Sequence, residues 1–238
     1  MRPHVICHMT TSIDGKVTGK FLETPQGLMA SDEYYRVHRD FHADAFACGR
    51  ITMEGSFTGG WYPDLKPFEG VSVSRDDHVA DPDADFFCVA FDRRGRLGWK
   101  TPVIEDDDPG YDGAHIVEVL CEDAKDEYLA WLRSVGISYI FAGRKEMDLS
   151  LALSKLNSLF NIRELLLEGG SVLNGAFARE DLIDELSLIT APVTADPDDL
   201  PLFSNSSMHS WKLESVFDCN GILMSKYSKP KILLCCGD

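Results

Sequence analysis

No stretch of this chain is apolar for long enough to span a bilayer. Basic residues are scarce: 23 Lys and Arg stand against 39 Asp and Glu, a net charge of -16. Nucleic-acid binding leaves a basic footprint, and none is present, so a nucleic-acid partner is excluded. Any anionic ligand must then be held by local donors rather than by the overall field. There is no C-x-x-C. The cysteines, Cys7, Cys48, Cys88, Cys121, Cys219, Cys235 and Cys236, are odd in number, and several lie in apolar runs. That reads as free thiols in a reducing compartment, not as a disulfide frame or a zinc site. Neither G-x-G-x-x-G nor the P-loop pattern occurs. The first residues meet Thr10 and Asp14 too soon for a signal peptide, so a cytoplasmic location with no membrane partner is expected.

What is present is an ordinary globular composition. At 238 residues and 44% hydrophobic, the chain can bury one sizeable core. Aspartate runs in 76–85 and 105–112 read as solvated loops. Residues 4–9 form an apolar strand. Ser31-Asp32-Glu33 opens a helical pattern in which Tyr34, Val37, His38 and Phe41 share a buried face, with Ser31 as cap. Ala45–Cys48 is a strand, and Thr52–Phe57 a helical turn or two. Residues 60–82, rich in Pro, Gly and Asp, are loop with one short strand. Strands follow at Phe86–Phe91, Ile116–Leu120, Ile137–Ala142, Leu165–Leu167 and Glu185–Thr190. Helices fall at Lys125–Val135, along the stripe Leu149, Leu153, Leu156, Phe160, and at Val172–Ala178. Trp211–Phe217 and Ile222–Tyr227 flank Asn220-Gly221, a hairpin turn signal. Strands alternating with helices predict an α/β fold, a largely parallel sheet covered on both faces with an antiparallel C-terminal hairpin. No repeat and no linker divides the chain into more than one domain.

Three strand ends carry candidate chemistry. In Leu165-Leu166-Leu167-Glu168-Gly169-Gly170-Ser171-Val172, a buried strand ends in an acid and two glycines, then a helix capped by Ser171. Glycines allow close backbone approach, and a helix start offers N–H groups to phosphate. Glu168 falls at the carboxyl end of a parallel strand, where ligands bind in open α/β sheets. Gly49-Arg50-Ile51-Thr52 repeats the logic, with Arg50 able to add a charge-assisted contact. Thr10, Ser12, Asp14 and Gly15 follow the first strand, either lining a ligand or forming an Asp-Gly turn. His42-Ala43-Asp44 lacks the P-C-x-x-C of zinc deaminases, so no metal site is expected.

Ser-Ile-Asp-Gly-Lys after the first strand, Gly49 with Thr52, Leu-Leu-Glu-Gly-Gly-Ser, and Leu182-Ile183-Asp184-Glu185-Leu186 with Ala191-Pro192 occur in one order. In this the chain resembles the reductase domain of the bifunctional riboflavin-biosynthesis deaminase-reductases, over about residues 4–227, without their deaminase half. The resemblance implies a three-layer dihydrofolate-reductase-like fold, NADPH as cofactor, a homodimer, and hydride transfer to the ribosyl ring of 5-amino-6-(5-phosphoribosylamino)uracil. It implies NADPH contacts at Thr10, Gly49, Arg50 and Thr52, and a pyrophosphate loop at Gly169, Gly170, Ser171 and Val172. Arg93 and Arg94 fall near the adenosine 2′-phosphate. Glu168 and His8 are then the catalytic candidates, and Ser12, Asp14 and Ser56 face substrate. Two positions depart from the family: His8 stands where it carries lysine, and Ser56 where it carries aspartate. They leave open a reductase of another carbonyl, imine or pterin-like compound. A nucleotide-binding dimer without turnover is a third possibility.

Overall fold

In the computed structural model, residues 1–230 are described. The elements are β1 (His4–Thr11), α1 (Pro25–Phe41), β2 (Ala45–Gly49), α2 (Arg50–Met53), β3 (Phe87–Phe91), β4 (His115–Leu120), α3 (Asp126–Val135), β5 (Ser138–Phe141), α4 (Leu149–Phe160), β6 (Glu164–Leu167), α5 (Ser171–Arg179), β7 (Glu185–Thr190), β8 (Lys212–Cys219) and β9 (Ile222–Ser228). One nine-stranded sheet runs in the order β5-β4-β3-β2-β6-β1-β7-β9-β8. β1 to β7 pair in parallel, and β9 pairs antiparallel with both β7 and β8.

Side chains of successive strand residues leave the sheet on opposite faces, and the core divides accordingly. Val5, Cys7, Ala45, Ala47, Leu165 and Leu167 join one cluster, with Leu153, Leu156 and Phe160 of α4 and Phe177 of α5. Ile6, Phe46, Cys48 and Leu166 join the other, with Tyr128, Leu129 and Leu132 of α3. Helix α1 covers the β1–β7 end, packing Val37 with Ile189 and Ile222. The strands read as continuous apolar runs because both faces are covered. This is the three-layer α/β sheet with a C-terminal hairpin expected from the sequence.

Two expectations need correction. Helix α1 begins at Pro25, not Ser31. Thr24 is its cap, accepting from the Gly27 amide at 3.0 Å, and Pro25 fits the first turn, where no N–H is needed. Ser31 lies inside the helix and donates to the Gly27 carbonyl. The apolar periodicity starts late because the first turns pack against the 20–23 turn rather than against the sheet. Residues 60–82 contain no strand; the segment meets edge strand β5 through an isolated bridge between His78 and Tyr139, with Asp77 accepting from the Phe141 amide and Ser138 Oγ accepting from the Ala80 amide, both at 2.9 Å. At the hairpin, Asn220 and Gly221 both have positive φ, as a two-residue turn of this hand requires.

Candidate functional site

The parallel strands β1, β2, β3 and β6 end together, and a cavity of about 860 Å³ opens at their carboxyl ends. That is where open α/β sheets bind ligands. Thr10, Gly49, Arg50, Thr52, Glu168, Gly170, Ser171 and Val172 all border it, so the structure brings the three strand-end segments into one site. The Gly49 amide donates to the Gly169 carbonyl at 2.7 Å, locking the two glycine turns together. Gly169 has φ +103°, a region that disfavours any side chain. A Cβ on Gly170 would lie 3.1 Å from Thr52 Oγ1, so the backbone there forms a tight cradle.

The cap of α5 differs from expectation. Gly170, not Ser171, is the residue before the helix. The Ser171 hydroxyl is committed to the Pro201 carbonyl and to Ser204 Oγ, so it anchors the 201–204 segment beside the cavity. The first-turn amides of α5 therefore open toward the cavity without a side-chain cap, and the helix dipole favours an anion there.

Arginines gather around this half. Arg50 pairs with Glu54, and Arg93 with Glu146 at 3.2 Å. Arg93 Nε is buried without a hydrogen-bond partner among the described residues. Arg96 and Arg179 also border the cavity, and neither stood out in the sequence. Arg94 is exposed and lies outside the lining, so of the two adjacent arginines only Arg93 reaches the site.

Glu168 does not extend into the cavity. Its carboxylate turns beneath the floor, where Oε1 accepts from His38 Nδ1 at 2.7 Å and Oε2 accepts from the Tyr111 hydroxyl at 3.1 Å. His38 Nε2 donates to the Gly110 carbonyl at 2.8 Å. A carbonyl and a carboxylate both only accept, so His38 carries protons on both nitrogens. Burial opposes that charge, but the hydrogen bond and charge of Glu168 outweigh it, and the His38 pKa is raised. Tyr34 borders the cavity. Burial and the Glu168 charge push the Tyr34 proton affinity up, so Tyr34 stays neutral. By periodicity alone, His38 stands only as part of an apolar stripe. The available signal was that a buried titratable residue needs a partner. Tyr111 and Gly110 lie in the acidic segment 105–112, which is therefore not merely a solvated loop.

His8 is wholly buried and outside the cavity lining. Its ring stacks on Tyr34 at 4.3 Å, Nε2 donates to the Tyr34 carbonyl at 3.0 Å, and Nδ1 lies 3.1 Å from Ser187 Oγ. It packs as a core histidine because it points to the α1 face of the sheet, with Ile6. Ser12 and Asp14 clasp a turn: Ser12 donates to Asp14 at 2.7 Å, and Asp14 accepts from the Ala195 amide at 3.0 Å. Neither borders the cavity, and Ser56 is exposed outside it.

The chain is an α/β protein with a glycine-cradled, arginine-bordered cavity at the carboxyl edge of its parallel strands. A family model described as the RibD C-terminal domain matches residues 3–221, and the chain belongs to that family. It is similar to the 2,5-diamino-6-ribosylamino-4(3H)-pyrimidinone 5′-phosphate reductase of Methanothermobacter thermautotrophicus, with 29% identity over 197 residues, 81% of this chain and 79% of that protein. Its fold is shared with a pyrimidine reductase-like protein from Corynebacterium diphtheriae, with TM-score 0.67 and 19% identity, over 95% of this chain and 91% of that one. It is also shared with the Saccharomyces cerevisiae riboflavin biosynthesis reductase, with TM-score 0.61 and 14% identity, over 95% and 90% of the two chains. Acinetobacter baumannii RibD matches over 97% of this chain but 59% of its own length, with TM-score 0.66 and 17% identity.

Proposed function

We propose that the chain is a single-domain NADPH-dependent reductase of the riboflavin-biosynthesis type. The observation that carries this reading is the paired glycine cradle at Gly49 and Gly169-Gly170, beside the open start of α5 and bordered by Arg50, Arg93 and Arg96. The cofactor fits these residues. A Cβ at Gly170 would intrude on the cradle, and the buried Arg93 Nε has no hydrogen-bond partner among the described residues. The first-turn amides of α5 would hold the pyrophosphate, and the arginines a 2′-phosphate. When bound, the reduced nicotinamide supplies a hydride to the carbon of a C=N or C=O bond, whose electron pair passes to the heteroatom and takes up a proton.

The chain's own part is positioning. Glu168, His38 and Tyr111 fix the floor, and Tyr34 borders the cavity beside them. The Methanothermobacter relative points to a ribosylaminopyrimidine acceptor. A second reading, another C=N or C=O acceptor such as a pterin, is favoured by His8 and Ser56 at positions where the family carries lysine and aspartate. Calorimetry with NADPH and NADH tests the cofactor, and NADPH oxidation with 5-amino-6-(5-phosphoribosylamino)uracil against a carbonyl and pterin panel tests the acceptor. NADPH is expected to bind at least ten-fold tighter than NADH. Equal affinity would remove the role given to the arginines, and binding of neither would remove the reductase reading.

A further inference from the structure

Four arginines border the cavity, and three of them are committed: Arg50 pairs with Glu54, Arg93 pairs with Glu146 at 3.2 Å, and Arg179 donates to the Asn205 carbonyl at 3.1 Å. The guanidinium of the fourth, Arg96, makes no hydrogen bond or ion pair among the described residues. Where such a long side chain can reach is set first by its backbone. Arg96 lies in the turn 92–97 that follows β3, and this turn closes around the carboxylate of Asp92, which is 1% exposed. Asp92 Oδ2 accepts from the Arg96 amide and from the Leu97 amide, the second at 2.7 Å. Buried amides outside helix and sheet need such an acceptor, and an aspartate just upstream supplies it.

The turn is gripped from outside the cavity as well. Gly95 has φ +68°, and a Cβ there would lie 2.3 Å from the Tyr128 ring, so a glycine is what lets α3 pack this close. The Tyr128 hydroxyl donates to the Leu97 carbonyl at 2.8 Å, and the Tyr62 hydroxyl donates to the Gly95 carbonyl at 3.0 Å. The two tyrosine rings stack, with centroids 6.1 Å apart. Asp92, Tyr62 and Tyr128 are all outside the cavity lining. A buried carboxylate is costly unless its oxygens are used. Here its partners are the amides of its own turn, and one of them belongs to the arginine whose head is left free.

We propose that Asp92 is a positioning residue for cofactor choice: by holding the 92–97 turn it sets Arg96 at the cavity, where the guanidinium takes the 2′-phosphate that separates NADPH from NADH. This rests on the NADPH reading above. Guanidinium–phosphate hydrogen bonds are charge-assisted and often bidentate, so they depend on where the fork stands. Calorimetry with NADPH and NADH tests the proposal on the parent, Asp92→Ala, Asp92→Asn, Arg96→Gln and the Asp92→Ala, Arg96→Gln double variant. In Asp92→Ala both amides lose their acceptor. The preference for NADPH should then fall at least five-fold, with NADH affinity within two-fold of the parent. Asp92→Asn keeps an oxygen for the same amides and should retain the preference within two-fold. The double variant should lose no more than Arg96→Gln alone, because a residue that acts through another is not additive with it. A preference retained in Asp92→Ala, an equal loss in Asp92→Asn, a parallel loss of NADH affinity, or additive losses in the double variant overturns the proposal and leaves the NADPH reading standing. A parent with no preference overturns both. Should Asp92→Ala fail to fold, Tyr62→Phe decides, since Tyr62 is exposed and its hydroxyl serves the Gly95 carbonyl. A preference lowered at least two-fold supports the proposal, and an unchanged one overturns it.

Discussion

His8 and His38 lie beneath the same cavity, and their partners drive their protonation in opposite directions. His8 is neutral: burial lowers its pKa against the weaker pull of Glu168 and two backbone carbonyls. The stability it contributes is present above the ordinary histidine value and lost as pH falls toward the lowered one. His38 behaves inversely. Its raised pKa gives stability that is complete below the ordinary value of 6.5 and lost as pH rises through the folded-state value. Glu168→Gln should therefore destabilise the protein by about 3 kcal/mol near pH 6, in line with breaking a buried pair. The gap to the parent should shrink toward pH 9. Urea unfolding at the two values measures it, and a gap independent of pH would show that His38 is uncharged. NADPH affinity should hardly change, since the carboxylate lies under the floor. His8→Lys restores the family residue but buries an ammonium among Tyr34, Phe41 and Ser187. We expect a loss of about 2–5 kcal/mol. A melt as stable as the parent, with new turnover of the phosphorylated pathway compound, would return His8 to the active site.

At the scale of elements, strand–turn–helix order was legible because each strand is a short apolar run punctuated by glycine. Glu168-Gly169-Gly170 and Gly49-Arg50 fall at strand ends on the sequence pattern alone. Side-chain direction could not. Whether Glu168 faces a ligand or the core depends on Tyr111, 57 residues away in sequence, and His38, 130 residues away. The start of α1 was hidden because Thr24-Pro25 caps a first turn with little apolar periodicity. Arg96 and Arg179 looked like surface residues, since nothing local marks an arginine that a distant fold brings to a cavity. The glycine cradle yields a direct test. In Gly170→Val, Cβ would sit 3.1 Å from Thr52 Oγ1, and two further methyls would stand in the cradle. Gly170 has φ -76°, which valine accepts, so the protein should fold. NADPH affinity should fall at least ten-fold by calorimetry, with the melting temperature within about 5 °C of the parent, an allowance of 1–2 kcal/mol for a domain of this size. Unchanged affinity would place the pyrophosphate elsewhere.

For the whole molecule, the C-terminal hairpin ends the sheet, and β8 is paired on one side only among the described residues. Its side chains Leu213, Val216 and Phe217 are each at least half exposed. A long apolar edge strand is a template for pairing unless something covers it. The family resemblance supplies the occupant, a second copy of the chain. Eight residues of strand extend roughly 26 Å, long enough to anchor the roughly 800 Å² per partner that a stable interface needs. Each protomer carries a net charge of -16, so two copies repel one another at long range. Salt screens that repulsion while strengthening apolar burial slightly. Association should accordingly tighten with salt, the reverse of an interface held by ion pairs. Light scattering at micromolar protein is expected to give a dimer mass, with the dimer fraction rising between about 0.05 and 0.5 M sodium chloride, over which the Debye length falls to roughly 4 Å. Phe217→Glu places a charge on the exposed edge, far from the cavity, and should leave a monomer that still binds NADPH. A monomeric parent at both salt concentrations, or a Phe217→Glu dimer as tight as the parent, would show that this edge is not where copies meet.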